Sequence, residues 1–153
     1  MEKHPLFTDL EILNETDLPI PLSSNLATEI VKAISAGEAK AFSFIEVVFV
    51  DEAQITKINK KYLDHHYITD IITFGYNESD QNEPIEATLF CCAPRIVEQA
   101  TDLGIATDIE FSRVFIHGLL HLTGYRDHSK EEKAIMRDKE NLYLNYIART
   151  YAK

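Results

Sequence analysis

The chain of 153 residues is poor in cysteine, in cationic side chains and in long apolar runs, and each shortage closes off a class of protein. Its two cysteines, Cys91 and Cys92, are adjacent. Neighbours in sequence rarely reach unstrained disulfide geometry, so both read as free thiols of a reducing compartment, buried as small apolar side chains on a strand. Lys and Arg number 15 against 25 Asp and Glu, giving a formal net charge of −10. Proteins that lie along nucleic acid usually carry a basic balance or a basic patch. The deficit therefore argues against extended nucleic-acid binding by this chain alone, and leaves room for a local basic groove or a partner that brings the nucleic acid. Its apolar runs, such as the one within Ile45 to Val50, fall far short of the roughly 20 residues a membrane-spanning helix needs. The opening Met1-Glu2-Lys3-His4-Pro5 has no basic segment leading into an apolar one. No signal peptide is expected, and a cytoplasmic location follows. There is no internal repeat, low-complexity tract or linker, so one domain is expected over residues 1–153.

What is present alternates between strand and helix signals. Leu10 to Leu13 suggests a first strand. Ser24 or Asn25 is placed to cap a helix with Leu26, Ile30 and Ile34 on one stripe, and Gly37 is expected to stop it. Phe42 to Val50, rich in aromatic and β-branched residues, reads as a strand covered on both faces. Asp51-x-x-Gln54 is a capping-box variant, followed by a helix that is expected to bury Ile55, Ile58 and Tyr62. Asp70 to Tyr76 and Ala87 to Cys92 read as the two strands of a hairpin across the polar stretch from Asn77 to Pro84. Pro94 suits the first turn of a helix with Ile96, Val97, Ala100 and Leu103 facing inward, ended by Gly104. Capping boxes are read at Thr107 to Glu110 and at Ser129 to Glu132. The last helix is expected to bury a stripe of Ile135, Leu142 and Tyr146, flanked by Met136, Tyr143 and Ile147. The pattern as a whole predicts an α+β fold with a small β-sheet packed with helices.

The chemistry concentrates on the helix before Gly124. His117 and His121 stand four apart, so they share one helix face, about 5–6 Å apart at Cβ. Two imidazoles so placed can reach a single ion at about 2.0–2.1 Å. Gly124 then breaks the helix and turns the chain back. A third ligand after such a turn would complete a site with an open position, as catalytic zinc sites have. Asp127 and His128 are the two candidates. Register favours Asp127; one extra residue in the turn would favour His128. Both side chains suit zinc, and one zinc ion is the expected cofactor. The residue after His117 is Gly118, where His-Glu-x-x-His peptidases carry their general base. That absence weakens a peptidase reading, while a metal at such a site can still polarise a phosphoryl oxygen.

The run His117-Gly118-Leu119-Leu120-His121-Leu122-Thr123-Gly124-Tyr125 resembles the signature of the YbeY family, His-Gly-x-Leu-His-Leu-x-Gly-Tyr-Asp-His. A second block, Asn59-x-x-Tyr62 followed by Thr69-Asp70-Ile71-Ile72-Thr73-Phe74, is similar to the family's Asn-x-x-Tyr-Arg and Thr-Asp-Val-Leu-Ser-Phe. The blocks and their surroundings cover the chain from about Val48 to about Met136. The resemblance implies an α+β fold with a small mixed sheet and a zincin-like metal-binding helix. It also implies a zinc held by three residues, His117 and His121 among them, and endoribonuclease action on single-stranded RNA in ribosomal RNA maturation and ribosome quality control. The implied partners are a ribosomal RNA precursor and the ribosome or its proteins. Three departures stand out. The family's Tyr-Asp-His is Tyr125-Arg126-Asp127-His128 here, its Arg after Tyr62 is Leu63, and its Gly-Asp on the next strand is Ala87-Thr88. The lost Arg and the acidic charge support a second reading, a non-catalytic ribosome-assembly factor with a structural zinc.

Other residues carry weaker signals. Asp70 could orient a ligand or water, or be an ordinary turn residue. Arg113, one turn before His117, could partly replace the missing guanidinium, or be a surface charge. His65 and His66 could touch RNA, or be solvated loop histidines. Lys57, Lys60 and Lys61 form the best local basic patch.

Overall fold

The computed structural model describes residues 7–63, 69–77 and 83–151. Its elements follow in the order β1 (Phe7–Asn14), α1 (Ser24–Glu38), β2 (Phe42–Val50), α2 (Glu52–Leu63), β3 (Ile71–Gly75), β4 (Ile85–Cys92), α3 (Ala93–Leu103), α4 (Thr107–Leu122) and α5 (Lys130–Thr150). The strands form one mixed sheet of order β1-β2-β4-β3. β1 and β4 run parallel to β2, and β3 closes antiparallel on β4 with Ile71 opposite Cys91 and Gly75 opposite Ala87. The α+β reading and the hairpin both hold.

Strand alternation divides the core in two. Ile45, Val47 and Phe49 of β2, with Ala87, Leu89 and Cys91 of β4, pack with residues of α1, α3, α4 and α5. Val48, Val50 and Cys92 point to the other face, where Ile55 of α2 and Ile72 of β3 meet them. Both cysteines are buried free thiols, and that burial pushes each thiol up from its usual range. α4 lies against the larger core and buries Phe111, Val114, Phe115, Ile116, Leu119 and Leu120. At about 1.5–3 kcal/mol for each large apolar side chain buried, this helix is among the most firmly held parts of the molecule. Gly118 sets how closely it lies on the sheet. A Cβ there would stand 2.5 Å from Ile71 Cδ1, 2.9 Å from Leu89 Cδ2 and 3.2 Å from Thr73 Cγ2.

Several local expectations are corrected. Ser23, not Ser24 or Asn25, caps α1, accepting from the Leu26 N–H at 3.1 Å. Gly37 does not stop α1. The helix runs on to Glu38 and ends at Ala39, whose φ of 55° is left-handed. Gly37 instead admits Tyr143 of α5, whose hydroxyl a Cβ at Gly37 would strike. Tyr62 and Leu103 are 58% and 60% exposed; each lies in the final turn of its helix, where Tyr62 touches the edge of the smaller core through Phe74 without entering it. The capping box at Thr107 does not form. Ala106 is the N-cap, and the Glu110 carboxylate turns inward to Gln99 and Arg113. On α5 the expected stripe of Ile135, Leu142 and Tyr146 faces outward, and the buried face is Met136, Glu140, Tyr143 and Ile147. The boxes at Asp51/Gln54 and Ser129/Glu132 form as read.

Candidate metal centre

His117 and His121 project from one face of α4, and their Nε2 atoms lie 3.0 Å apart. Asp127 closes the group from the turn after the helix, with Oδ2 at 3.3 Å from His117 Nε2 and Oδ1 at 3.5 Å from His121 Nε2. One ligand atom from each of the three lies within 4.8 Å of the others. Asp127 rather than His128 arrives there for a local reason. Gly124, at φ 116°, turns the chain back after α4, with its N–H on His121 O. From Tyr125 to His128 the chain is irregular, and burial alternates: Tyr125 and Asp127 are partly buried, Arg126 and His128 exposed. His128 faces solvent while its N–H donates to Glu132 Oε1 at 3.2 Å.

The far side of each imidazole is occupied. His117 Nδ1 lies 2.7 Å from Glu140 Oε2, and His121 Nδ1 lies 2.9 Å from the Tyr125 carbonyl. A carbonyl and a carboxylate accept hydrogen bonds, so both rings carry their proton on Nδ1. Two Nε2 lone pairs are then left facing each other beside a carboxylate. With both rings in that neutral form, three acceptors converge, a cradle for a cation. Two imidazole nitrogens sharing a tetrahedral ion at about 2.0–2.1 Å would stand roughly 3.3 Å apart, close to the spacing found. Donation from a ligand histidine to an outer carboxylate or carbonyl is the usual support of such sites. Burial pushes the His117 pKa down, but the hydrogen bond and charge of Glu140, with Asp127 and Asp70, outweigh it and leave His117 above its ordinary value. The same negative field favours a bound cation.

The second histidine is braced from α1. Tyr125, whose carbonyl holds His121, donates its hydroxyl to Glu38 Oε1 at 2.6 Å. Tyr143 and Lys139 of α5 also donate to Glu38. Burial would raise the Glu38 pKa, yet these three donors together lower it.

A cavity of about 500 Å³ opens beside the trio, lined in part by Asp70, Gln99, Arg113, His117, Asp127 and Glu140. Asp70 stands at its wall with Oδ2 accepting from Gln99 Nε2 at 3.2 Å. Arg113 also lines it, but its guanidinium is occupied. Glu110 Oε1 lies at 3.4 Å, Glu140 Oε1 at 3.3 Å and Asn141 Oδ1 at 3.3 Å, and the side chain is 17% exposed. The Lys57, Lys60 and Lys61 group and Leu63 sit on α2, across the sheet from α4. His65 and His66 lie outside the described residues. Thr88 bonds Tyr76 and Glu46 rather than the site. The carboxylate that holds His117 from behind is Glu140, which the sequence reading missed. Its signal was a carboxylate in phase with Met136, Tyr143 and Ile147.

An α+β protein whose helix presents two histidines, joined by a carboxylate from the following turn, is of the class that can hold one metal ion in an open site. A sequence profile described as Endoribonuclease YbeY matches residues 11–148, and the chain belongs to that family. A relative named Endoribonuclease YbeY from Bacteroides thetaiotaomicron is 39% identical over 117 residues, covering 76% of this chain and 83% of the relative. Another of the same name from Chlorobaculum tepidum is 34% identical over 135 residues, covering 88% and 95%. A solution structure of a Thermotoga maritima protein superposes with a TM-score of 0.62 at 26% identity, covering 94% of this chain and 91% of that one. No helix among the described residues is long and apolar enough to cross a membrane.

Proposed function

We propose that this chain is a zinc-dependent endoribonuclease acting on single-stranded RNA in ribosomal RNA maturation. The carrying observation is the convergence of His117 Nε2, His121 Nε2 and Asp127 with both Nδ1 atoms occupied from behind. We assign these three residues as the zinc ligands. The family's name supplies the RNA-cleaving activity, and the resemblance of the two sequence blocks supplies the ribosomal substrate and a cytoplasmic setting.

A bound zinc supplies Lewis-acid chemistry, polarising a phosphoryl oxygen and acidifying water. The chain's own groups do the rest. Glu140 holds the His117 Nδ1 proton, and the Tyr125 carbonyl holds that of His121, so both rings keep Nε2 directed inward. Gly118 leaves no carboxylate on the helix beside His117. Asp70, on the cavity wall, is the candidate to receive a proton or orient water. The assembly-factor reading needs a structural zinc, and structural sites are typically closed by four protein ligands. Here three side chains converge beside an open cavity.

The test is cleavage of single-stranded ribosomal RNA fragments by purified protein. Products are expected with zinc, lost on chelation, restored by added zinc, and absent for His121→Ala. Cleavage that survives in chelated, zinc-free protein would refute the mechanism. Full zinc occupancy without cleavage would favour the assembly factor.

A further inference from the structure

We propose that Arg137 and Lys133, four residues apart on α5, anchor a phosphate of single-stranded RNA next to the scissile one. The proposal rests on the RNA-cleaving reading above and adds to it the groups that hold the substrate.

A chain with a net charge of −10 repels a polyanion at long range. Binding therefore needs cations placed at the site itself. The cavity beside the trio has four, Arg95, Arg113, Lys133 and Arg137. Arg113 is enclosed between Glu110, Glu140 and Asn141 and is 17% exposed, so it acts as a structural counter-ion. Arg95 is bound to Glu98 of its own helix. Arg137 is different. Its side chain is 58% exposed, and its nearest carboxylate oxygen, Glu140 Oε1, is 3.7 Å away and already serves Arg113. Lys133 is exposed, and its ammonium has no hydrogen-bond or ion-pair partner among the described residues. These two are the cations that a phosphate can reach without displacing a side-chain hydrogen bond, Arg137 holding only its long 3.7 Å ion pair.

Their place on the helix strengthens the case. Residues four apart stack on one face. That face of α5 also carries Met136 and Glu140 into the cavity, and Glu140 bonds His117. The anchors are thus set in register with the metal trio by a single rigid element. An Arg guanidinium can take a phosphate through two parallel hydrogen bonds, and a Lys adds a point charge. Leu63 occupies the position where the resemblance calls for an Arg, at the end of α2 on the other face of the sheet. The cation missing there is supplied from α5.

The test measures binding of a single-stranded RNA oligonucleotide across a salt series, in chelator so that nothing is cut. Arg137→Ala and Lys133→Ala are each expected to weaken binding several-fold at low salt. Each is expected to reduce the slope of log K against log salt by about 0.7, the value for one phosphate contact on a single strand. Arg137→Lys should keep most of the slope. Arg149→Ala, the same charge loss in the last turn of α5, should leave it unchanged. With zinc restored, the two Ala variants should raise KM with little change in kcat and keep wild-type zinc content. Unchanged slopes and KM in a wild-type background that binds and cleaves would overturn the anchors alone. Slopes that fall as expected in a protein that never cleaves would retain the anchors and overturn the enzyme. A wild type that binds no RNA would overturn both.

Discussion

Glu140 shows how one buried carboxylate can define a site. It is 5% exposed, accepts from His117 Nδ1, and is itself held by Arg113. Replacing it with Gln keeps the shape and removes the charge. Glu140→Gln is expected to weaken zinc binding about 10–100-fold, the usual cost of losing an outer-shell partner, while circular dichroism stays native. A competition titration against a chromophoric chelator checks this, and wild-type affinity in the variant would contradict the assigned role. The histidine pair was legible in the sequence because helical spacing alone puts positions four apart on one face. The choice between Asp127 and His128 was only weighted. It depends on the burial alternation after Gly124, which spacing does not encode. Glu140 was not read because its mark, being in phase with Met136, Tyr143 and Ile147, is visible only once that stripe, and not Ile135, Leu142 and Tyr146, is taken as the buried face.

Among the elements, α4 and α5 carry the chemistry, and their phases decide it. α4 was readable from its histidine face to the turn at Gly124, though not at its N-terminal cap. Its apolar content fixes it in the core, which leaves the polar His117 and His121 face toward the turn and α5. α5 was misread by one position of helical phase, because Ile135, Leu142 and Tyr146 compete as a stripe with Met136, Tyr143 and Ile147. What selects the second stripe is tertiary: Tyr143 fits against Gly37, and Glu140 meets His117. The box at Thr107 failed for a related reason, since Glu110 serves Gln99 and Arg113 rather than the helix end. The contact between α4 and the sheet is testable at Gly118. Alanine favours a helix interior by about 1 kcal/mol over glycine, but its Cβ would press on Ile71, Leu89 and Thr73 together. Overpacking of that kind costs about 1–3 kcal/mol. Gly118→Ala is therefore expected to lower Tm by a few degrees in thermal melts. A raised Tm would show that the sheet yields freely.

Across the whole molecule, one mixed sheet carries the larger core on the face where α4 lies, and the candidate metal ligands His117, His121 and Asp127 sit at the rim of that core beside the cavity. The fold class, the hairpin and the two-faced β2 followed from the succession of strand and helix signals, the aromatic and β-branched content of Phe42 to Val50 and the turn composition. The cavity did not, since it is made where α3, α4 and α5 converge, residues far apart in the chain. Acidic charge over the molecule as a whole and accessible cations at one mouth suit a protein that takes its substrate locally rather than along an extended surface. All of this depends on the trio holding an ion. The direct measurement is bound zinc per chain, by elemental analysis after zinc loading and desalting, in wild type, Asp127→Ala and His128→Ala. One zinc per chain is expected in wild type and His128→Ala, with most of it lost in Asp127→Ala. Retention in Asp127→Ala with loss in His128→Ala, or a wild type that holds no zinc, would contradict the account.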